Sequence, residues 1–324
     1  MRRREFLRVL GGVAAGWPLS ARAQQRVVRI GILIIGGYVA AKDLAISAEL
    51  ARLGHVDGRN IAYEIRAADG DLDRLPALAR ELVATKSDVL ITATGAAAEI
   101  LAAATREIPI VVTVTVDPIA IGLSTSMSRP SRNITGFTSS TLTLAAKRLG
   151  LLRELIPGLR RIAYLGGQTG SRYATPELQQ IHTAASALGI IAISVPITTV
   201  DSVSEAFTIV DREKAQAIVV GINPTNVQVI GHINNECLVR DLPSIFPWSF
   251  AVKSGALMSY GPASLENHAG AAGYVDRLLK GAKVSELPFQ DPTEFKLAIN
   301  LRTARAINVK IAPSLLARAD EVIE

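Results

Sequence analysis

Small polar residues follow several predicted strands of this sequence, at positions where open α/β sheets bind ligands. Thr94 and Gly95 follow one apolar run, and Thr115 and Asp117 end the next. A helix that begins after such a strand presents free N–H groups and partial positive charge, which suit a carboxylate or another anion. An aspartate there suits an ammonium group, through a charge-assisted hydrogen bond worth about 1.5–3 kcal/mol. These residues predict a small-molecule binding site.

The predicted ligand-binding residues come from two rows of strand ends. The first row supplies Ile35, Gly36, Tyr38, Thr94, Gly95, Thr115 and Asp117, and the second supplies Gly167, Gln168, Asn223, Thr225 and Trp248. Tyr38 and Trp248 offer flat apolar surface with one polar atom, which suits a ring or an aliphatic side chain. Each position also has a structural interpretation, as a turn glycine or a cap. For Asp117, which precedes Pro118, the cap and the ligand role both stay open.

Residues that would mark an enzyme or a metal site are scattered. The sequence has no G-x-S-x-G and no H-E-x-x-H motif. The histidines stand apart and are interpreted as surface or core residues: His55, His182, His232 and His268. The single cysteine, Cys237, excludes an intrachain disulfide and is predicted to be a buried, inert thiol. We expect no catalytic residue, no metal and no cofactor. The alternative is an exported α/β hydrolase-like enzyme using a serine or carboxylate in the same cleft, because triads assemble in space.

The net charge of the chain comes largely from its N-terminus. The 324 residues include 35 Lys and Arg against 29 Asp and Glu, a formal charge of +6. Residues 1–23 hold five arginines and one acid, so the remaining 301 residues carry 30 basic and 28 acidic side chains. With that balance and no basic run containing aromatics, no nucleic acid is expected as a partner. Apolar residues make up 49% of the chain, which excludes a disordered protein.

Residues 1–23 are predicted to be an export signal peptide of the twin-arginine type. Arg3-Arg4-Glu5-Phe6-Leu7 matches R-R-x-F-L, and the apolar stretch after it is too short to span a membrane. Ala21-Arg22-Ala23 fits a small-x-small cleavage site. No cysteine stands at the cleavage point, so no lipid anchor is expected. These features predict a soluble protein in the periplasm, and we expect a monomer.

Alternating strand and helix patterns fill the rest of the chain. Continuous apolar runs rich in Val and Ile predict buried parallel strands. The first series of predicted strands is Val27–Ile35, Asn60–Arg66, Asp88–Thr94, Ile108–Val116 and Asn133–Ser139. The second series begins near residue 141 and comprises Arg161–Leu165, Ile190–Ile197, Ala217–Ile222, Pro243–Phe246 and Gly255–Tyr260. The pattern predicts an α/β protein with two lobes, each a parallel sheet flanked by helices.

The restart of the pattern also predicts how the chain is divided. One lobe is expected to comprise residues 27–140 plus 251–287, and the other residues 141–250. The tail, residues 288–324, is expected to pack near the hinge. Two rows of strand ends would then face one another across a cleft, and the lobes would close on a ligand by hinge motion.

Short motifs in a fixed order carry a family resemblance. After the leader come Asp73-Arg74-Leu75-Pro76-Ala77-Leu78-Ala79, Asp117-Pro118 with Gly122-Leu123, Arg129-Pro130 before Asn133-Ile134-Thr135-Gly136, and Lys147-Arg148-Leu149. Gly255-Ala256-Leu257-Met258-Ser259-Tyr260-Gly261 and Pro313-Ser314-Leu315-Leu316-Ala317-Arg318-Ala319-Asp320-Glu321 complete the set. Together they cover nearly the whole chain, which resembles the exported substrate-binding proteins of ABC importers, in particular the tryptophan/tyrosine-type subgroup.

The resemblance implies a type I periplasmic-binding fold, with two Rossmann-like lobes joined by chain crossovers. It implies a non-enzymatic receptor that delivers a small molecule, such as an amino acid or another small carboxylate, to the transmembrane subunits of an ABC permease. Two positions depart from the family. Gly166-Gly167-Gln168-Thr169-Gly170 stands where Asn and Pro are usual, and Asn223-Pro224 stands where an acidic residue often precedes proline. Both lie on the predicted cleft, so the aromatic amino acid ligand of better-known relatives is not carried over.

Overall fold

The computed structural model describes residues 26–37, 44–139, 141–167, 174–263 and 267–324. The predicted signal peptide lies outside these residues. The described residues form two β-sheets, each covered by helices on both faces, as the sequence predicts. No helix among them is long and apolar enough to cross a lipid bilayer.

The first sheet has five parallel strands in the order β2-β1-β3-β4-β5. The strands are β1 (Val28–Ile34), β2 (Ile61–Ala67), β3 (Val89–Thr92), β4 (Ile110–Thr115) and β5 (Ile134–Thr138), and the helices between them are α1 (Ala45–Arg52), α2 (Leu75–Ala84) and α3 (Gly95–Ala104). Side chains of β1 alternate between two apolar clusters. Ile30 and Ile32 pack with Leu50 of α1 on one face, and Leu33 packs with Leu78 and Leu101 of α2 and α3 on the other.

The second sheet has seven strands in the order β12-β11-β10-β9-β8-β6-β7, parallel except for the antiparallel pair β10–β11. Its strands are β6 (Arg161–Gly166), β7 (Ile191–Pro196), β8 (Ala217–Val220), β9 (Ser244–Phe246), β10 (Met258–Pro262), β11 (Phe295–Asn300) and β12 (Glu321–Ile323). The remaining helices are α4 (Thr141–Leu155), α5 (Ala174–Ala187), α6 (Ser202–Arg212), α7 (Pro224–Gln228), α8 (Ile230–Val239), α9 (Ser249–Lys253), α10 (His268–Leu279), α11 (Leu301–Ala306) and α12 (Pro313–Leu316).

Helix α6 illustrates why these segments pack as they do. Its apolar residues Val203, Ala206, Phe207 and Val210 recur at helical spacing and form one buried face. They pack against β6 and β8 residues of the second sheet. Burial of each large apolar side chain contributes about 1.5–3 kcal/mol, so this face fixes the helix on the sheet.

Residues 251–287, which the sequence analysis assigns to the first lobe, are divided between the two lobes in the structure. The predicted strand Gly255–Tyr260 corresponds to β10, which lies in the second sheet between β9 and β11 and not in the lobe of residues 27–140. Helix α10 does return to the first sheet, where Ala271, Ala272 and Val275 pack with β1 residues. An apolar strand pattern marks burial but not the sheet that a strand joins.

The tail also differs from its predicted place near the hinge. Strands β11 and β12 extend the second sheet beyond β10, and α11 and α12 contribute Ala304, Ile307 and Leu315 to that lobe's core. The chain therefore passes between the lobes at three points: after Ser139, between Ala263 and Asn267, and between Phe289 and Phe295.

Polar contacts hold helix α10 on the first lobe. The His55 imidazole lies 3.0 Å from Asp276 Oδ1, and Lys280 Nζ donates to Asp276 Oδ2 at 2.8 Å. Burial acts to raise the pKa of Asp276, but the hydrogen bonds from Lys280 and His55 outweigh it and lower the pKa. The Tyr274 hydroxyl donates to the Pro288 carbonyl at 2.7 Å, which ties the chain beyond α10 back to the same helix.

Candidate ligand-binding cleft

A cleft of about 420 Å³ lies between the two lobes. Its first-lobe wall follows the carboxyl ends of β1, β3 and β4 and the start of α1, and its second-lobe wall follows β8 and β9. The lining residues are Ile32, Leu33, Ile34, Ile35, Gly36, Leu44, Ala45, Ile46, Ile91, Thr92, Ala93, Thr94, Thr113, Val114, Ile222, Asn223, Val227, Gln228, Trp248 and His268. The volume is within the range of about 300–1,000 Å³ that is typical of small-molecule sites.

The end of β1 is fixed by a turn from the neighbouring strand. The Ile35 carbonyl accepts from the Gly70 amide at 2.7 Å, and the Gly36 carbonyl accepts from the Asp69 amide at 3.2 Å. These bonds hold the backbone of Ile35 and Gly36 where both residues line the cleft.

Helix α3 begins at the cleft with Thr94 as its cap. The Thr94 hydroxyl accepts from the Ala97 amide at 3.2 Å. Gly95 follows because a Cβ at this position would collide with the buried Thr115 hydroxyl and the Ile121 side chain. Gly95 and Thr115 therefore lie behind Thr94 and are not lining residues.

The two alternatives for Asp117 can be compared with its contacts. Asp117 Oδ1 accepts from the amides of Ile119 and Ala120 at 2.8 and 3.2 Å. Asp117 is not a lining residue of the cleft. The carboxylate therefore caps the turn that follows β4, and its geometry favours the cap over the ligand role.

Asp117→Asn is expected to leave the free energy of unfolding and the ligand affinity nearly unchanged, because an asparagine oxygen caps as well as an aspartate oxygen. Asp117→Ala is expected to lower the free energy of unfolding by about 1 kcal/mol. Urea denaturation and calorimetric titration with amino acids and small carboxylates measure the two quantities. A tenfold loss of affinity in Asp117→Asn at unchanged stability would establish the ligand role instead.

The second-lobe wall is built around Asn223. Its Oδ1 accepts from the Thr225 amide at 3.0 Å, and its Nδ2 donates to the Ile197 carbonyl at 2.9 Å. Asn223 thereby ties the end of β8 to the end of β7 and begins α7. Asn223 lines the cleft, whereas Thr225 contributes its amide to the cap and is not a lining residue.

Trp248 supplies the aromatic surface of this wall. Its side chain is 2% exposed and stacks on Phe250, with ring centroids 5.6 Å apart and an interplanar angle of 13°. The indole Nε1 is buried and has no hydrogen-bond acceptor among the described residues. A buried donor without an acceptor costs free energy.

A buried ionic cluster lies directly behind the second-lobe wall. Glu177 Oε2 accepts from the amide of the lining residue Ile222 at 3.1 Å. Arg148, fully buried, places Nη1 3.7 Å from Glu177 Oε1 and donates from Nε to the Tyr260 carbonyl at 2.9 Å. Burial raises the pKa of Glu177, although Arg148 opposes that shift, and burial lowers the pKa of Arg148. The cluster positions Ile222 without contacting the cleft itself.

The structure brings part of the predicted site together. Five predicted residues line the cleft: Ile35, Gly36, Thr94, Asn223 and Trp248. Five others do not: Gly95, Thr115, Asp117, Gly167 and Thr225. Tyr38 and Gln168 lie outside the described residues. The ligand contacts themselves stay a prediction.

The sequence analysis missed several lining residues. His268 begins α10 shortly after the end of β10. The rule that ligands bind where a helix follows the carboxyl end of a strand, which identified Thr94, therefore applies to His268 as well. Gln228 and Val227 lie within α7, where a helical pattern gives no sign of the direction in which a side chain points.

The described residues offer little for catalysis or metal binding. No group of His, Cys, Asp and Glu among them is placed to hold a metal ion. Cys237 is buried, as predicted, and burial raises its pKa to about 12, which disfavours the reactive thiolate. The described lining contains no serine, cysteine or carboxylate and gives the hydrolase alternative no support.

Comparisons with known proteins agree with the geometry. Residues 34–323 match a family model described as ABC transporter substrate binding protein. A curated relative, the tyrosine-binding protein of Clostridioides difficile (strain R20291), is 25% identical over 259 residues, which cover 79% of this chain and 73% of the relative.

Two solved structures share the fold. A conserved domain protein from Vibrio cholerae O1 biovar El Tor str. N16961 has a TM-score of 0.84 at 24% identity and covers 92% of this chain and 100% of its own. An ABC domain from Streptococcus pneumonia, in complex with L-Trp, has a TM-score of 0.82 at 23% identity, with 91% and 99% covered. At these identities the likeness concerns the fold, which is the type I periplasmic-binding fold.

Proposed function

This chain belongs to the family of ABC transporter substrate-binding proteins, and we propose that it is an exported receptor that captures a small molecule and delivers it to the transmembrane subunits of an ABC permease. The observation that carries the proposal is the cleft, which is lined from both lobes by residues at the carboxyl ends of parallel strands. Members of this family are substrate-binding proteins and not enzymes.

Capture is proposed to proceed by closure of the lobes. A ligand that contacts Thr94 on one wall and Trp248 on the other binds the closed form better than the open form, and that difference in affinity drives closure. The three connections between the lobes allow this hinge motion while each sheet keeps its own core.

The compartment and the assembly state are part of the proposal. The twin-arginine pattern in residues 1–23 supports export to the periplasm, where a receptor meets solutes before the permease does. We propose a soluble monomer.

The ligand is proposed to be an amino acid or another small carboxylate. The relatives named above support this class, since one is a tyrosine-binding protein and another was solved with L-Trp. The lining of this cleft supports an apolar body for the ligand, because Ile32, Ile34, Ile91 and Val114 face Ile222, Val227 and Trp248.

The test measures compaction and binding together. The chain has two tryptophans, so the full-length variant Trp17→Phe leaves Trp248 as the only one. We expect a metabolite extract from the host cell to reduce the radius of gyration in solution scattering and to change the fluorescence of Trp248. The matched variant Trp248→Phe/Trp17→Phe is expected to compact with the same extract but to show no fluorescence change. A radius that the extract leaves unchanged would contradict the proposed function.

A further inference from the structure

The third connection between the lobes, residues 289–295, is paired with the first sheet over part of its length. Gln290 forms a parallel bridge with Phe137 of β5. Its amide donates to the Gly136 carbonyl at 3.0 Å, and its carbonyl accepts from the Thr138 amide at 2.8 Å. Such evenly spaced bonds to two sides of one residue are those of a parallel strand pair. The connection therefore extends the first sheet beyond β5 before it leaves that lobe.

Asp291 follows as the next point of attachment to the first lobe. Its carboxylate accepts a hydrogen bond from the hydroxyl of Thr138, the last residue of β5. Thr138 is 5% exposed, so water competes little for its hydroxyl, and a hydrogen bond to a charged acceptor is stronger than one between neutral groups. This bond fixes the point at which the chain leaves the first lobe.

The second lobe holds the connection again from Glu294 onward. The Glu294 carbonyl accepts from the Ala263 amide at 2.9 Å, and β11 begins with the next residue. Pro292 and Thr293 lie between the two attachments, and neither makes a hydrogen bond to any described residue of either lobe. The part of this connection that belongs to neither lobe is therefore two residues long.

We propose that Pro292-Thr293 is the hinge of the third connection, and that Thr138 and Asp291 are positioning residues that set its first-lobe end. Closure changes the backbone dihedral angles of a few residues, and residues without hydrogen bonds to either lobe can change theirs without breaking any. The ring of Pro292 restricts its φ, so few angles are free to change in this segment. This inference rests on the lobe closure of the proposed function and deepens it.

A hinge this short limits the range of lobe orientations that the free chain can reach. Each backbone residue released from a fixed conformation gains entropy, which closure on a ligand must remove again. A narrow range of orientations therefore favours binding, because less freedom is lost when the lobes close. Loss of the bond between Thr138 and Asp291 should widen the range, since Asp291 is then free to move with the hinge.

The experiment measures the range of lobe orientations directly, without any ligand. Spin labels are attached to the full-length chain at Ala103→Cys on α3 and Ser204→Cys on α6, which are exposed positions in different lobes, while the buried Cys237 stays unlabelled. Pulsed electron paramagnetic resonance gives the distribution of distances between the labels. In Asp291→Ala we expect this distribution to be at least about 1.5-fold wider than in the labelled parent, because the hinge gains backbone freedom.

Three matched variants identify the cause. Asp291→Asn keeps an oxygen that can accept from Thr138 and is expected to keep the parent's width. Two glycines inserted after Thr293 lengthen the hinge itself and should widen the distribution as Asp291→Ala does, whereas the same insertion after Gly281, at the end of α10 in the first lobe, should not. Asp291 is exposed, so Asp291→Ala is expected to leave the urea midpoint near that of the parent. A bond with a merely structural role would lower the midpoint and leave the width unchanged.

The outcomes separate this inference from the proposed function. If Asp291→Ala and the insertion after Thr293 both keep the parent's width, the inference is wrong, even where a metabolite extract compacts the parent chain and the function stands. Equal widening in Asp291→Asn and Asp291→Ala would show that the hydrogen bond is not the cause and would overturn the role of Thr138. If the extract leaves the radius of gyration of the parent unchanged while both variants widen the distribution, the proposed function fails and the hinge assignment is kept.

Discussion

Glu177→Gln is expected to lower the free energy of unfolding by about 3–5 kcal/mol, because it leaves the guanidinium of Arg148 buried without a countercharge. Both side chains are almost completely inaccessible to solvent, at 2% exposure for Glu177 and 0% for Arg148. Glutamine can still accept from the Ile222 amide, so the substitution removes the charge and keeps the acceptor. Urea denaturation followed by circular dichroism measures the loss.

Two controls identify the buried charge as the cause. Arg148→Met/Glu177→Gln removes both charges and is expected to be more stable than Glu177→Gln alone, because no unpaired ion stays in the core. Glu154→Gln breaks an exposed ion pair with Arg318 and is expected to cost less than about 1 kcal/mol. A Glu177→Gln variant as stable as the parent would contradict the claim that the unpaired charge of Arg148 destabilises the fold. So would a double variant that is no more stable than Glu177→Gln.

The ten strands predicted from the sequence correspond to β1–β10, which pair in parallel, whereas β11, antiparallel to β10, and β12 were not predicted. Ile108–Val116 was predicted as a strand because it is continuously apolar, and β4 spans Ile110–Thr115 with every residue buried. Gly189 follows α5 and adopts a left-handed conformation with φ of 69°, as glycines after helices commonly do. These features depend on local sequence, and local sequence is sufficient to predict them.

The membership of β10 could not be predicted in the same way. Its apolar side chains could be buried in either sheet, and β10 belongs to the second sheet because it pairs with β9 and β11. Pairing partners distant in sequence leave no periodic signal. The position of the tail in the second sheet follows from that one pairing.

The candidate site was only partly predictable for a related reason. The rule that ligands bind at the carboxyl ends of strands found Thr94 and Asn223, because it depends on position along the chain. It could not separate Thr94, which lines the cleft, from Asp117, whose carboxylate is turned to its own backbone. Arg148 and Glu177 have the sequence pattern of exposed helical charges, and their burial follows only from the packing of α4 and α5 beside the second sheet.

Gly261→Ala is expected to lower both stability and ligand affinity. A Cβ on Gly261 would collide with the Pro247 carbonyl oxygen and lie 2.9 Å from the Pro247 carbonyl carbon. These are backbone atoms of the residue before Trp248, so the strain is relieved only by moving β9 and β10 apart. Overpacking of this kind costs about 3 kcal/mol. The same displacement moves Trp248 away from the cleft, so ligand binding should weaken about tenfold or more.

A matched substitution separates the collision from the effect of alanine itself. Gly150→Ala lies on an exposed face of α4, where a Cβ has no atom within 4 Å. Because glycine is costly inside a helix, Gly150→Ala is expected to raise the free energy of unfolding by about 0.5–1 kcal/mol. The two variants therefore shift the urea midpoint in opposite directions. If Gly261→Ala kept the parent's midpoint and its affinity in calorimetric titration, the close approach of β10 to Pro247 would not be what positions Trp248.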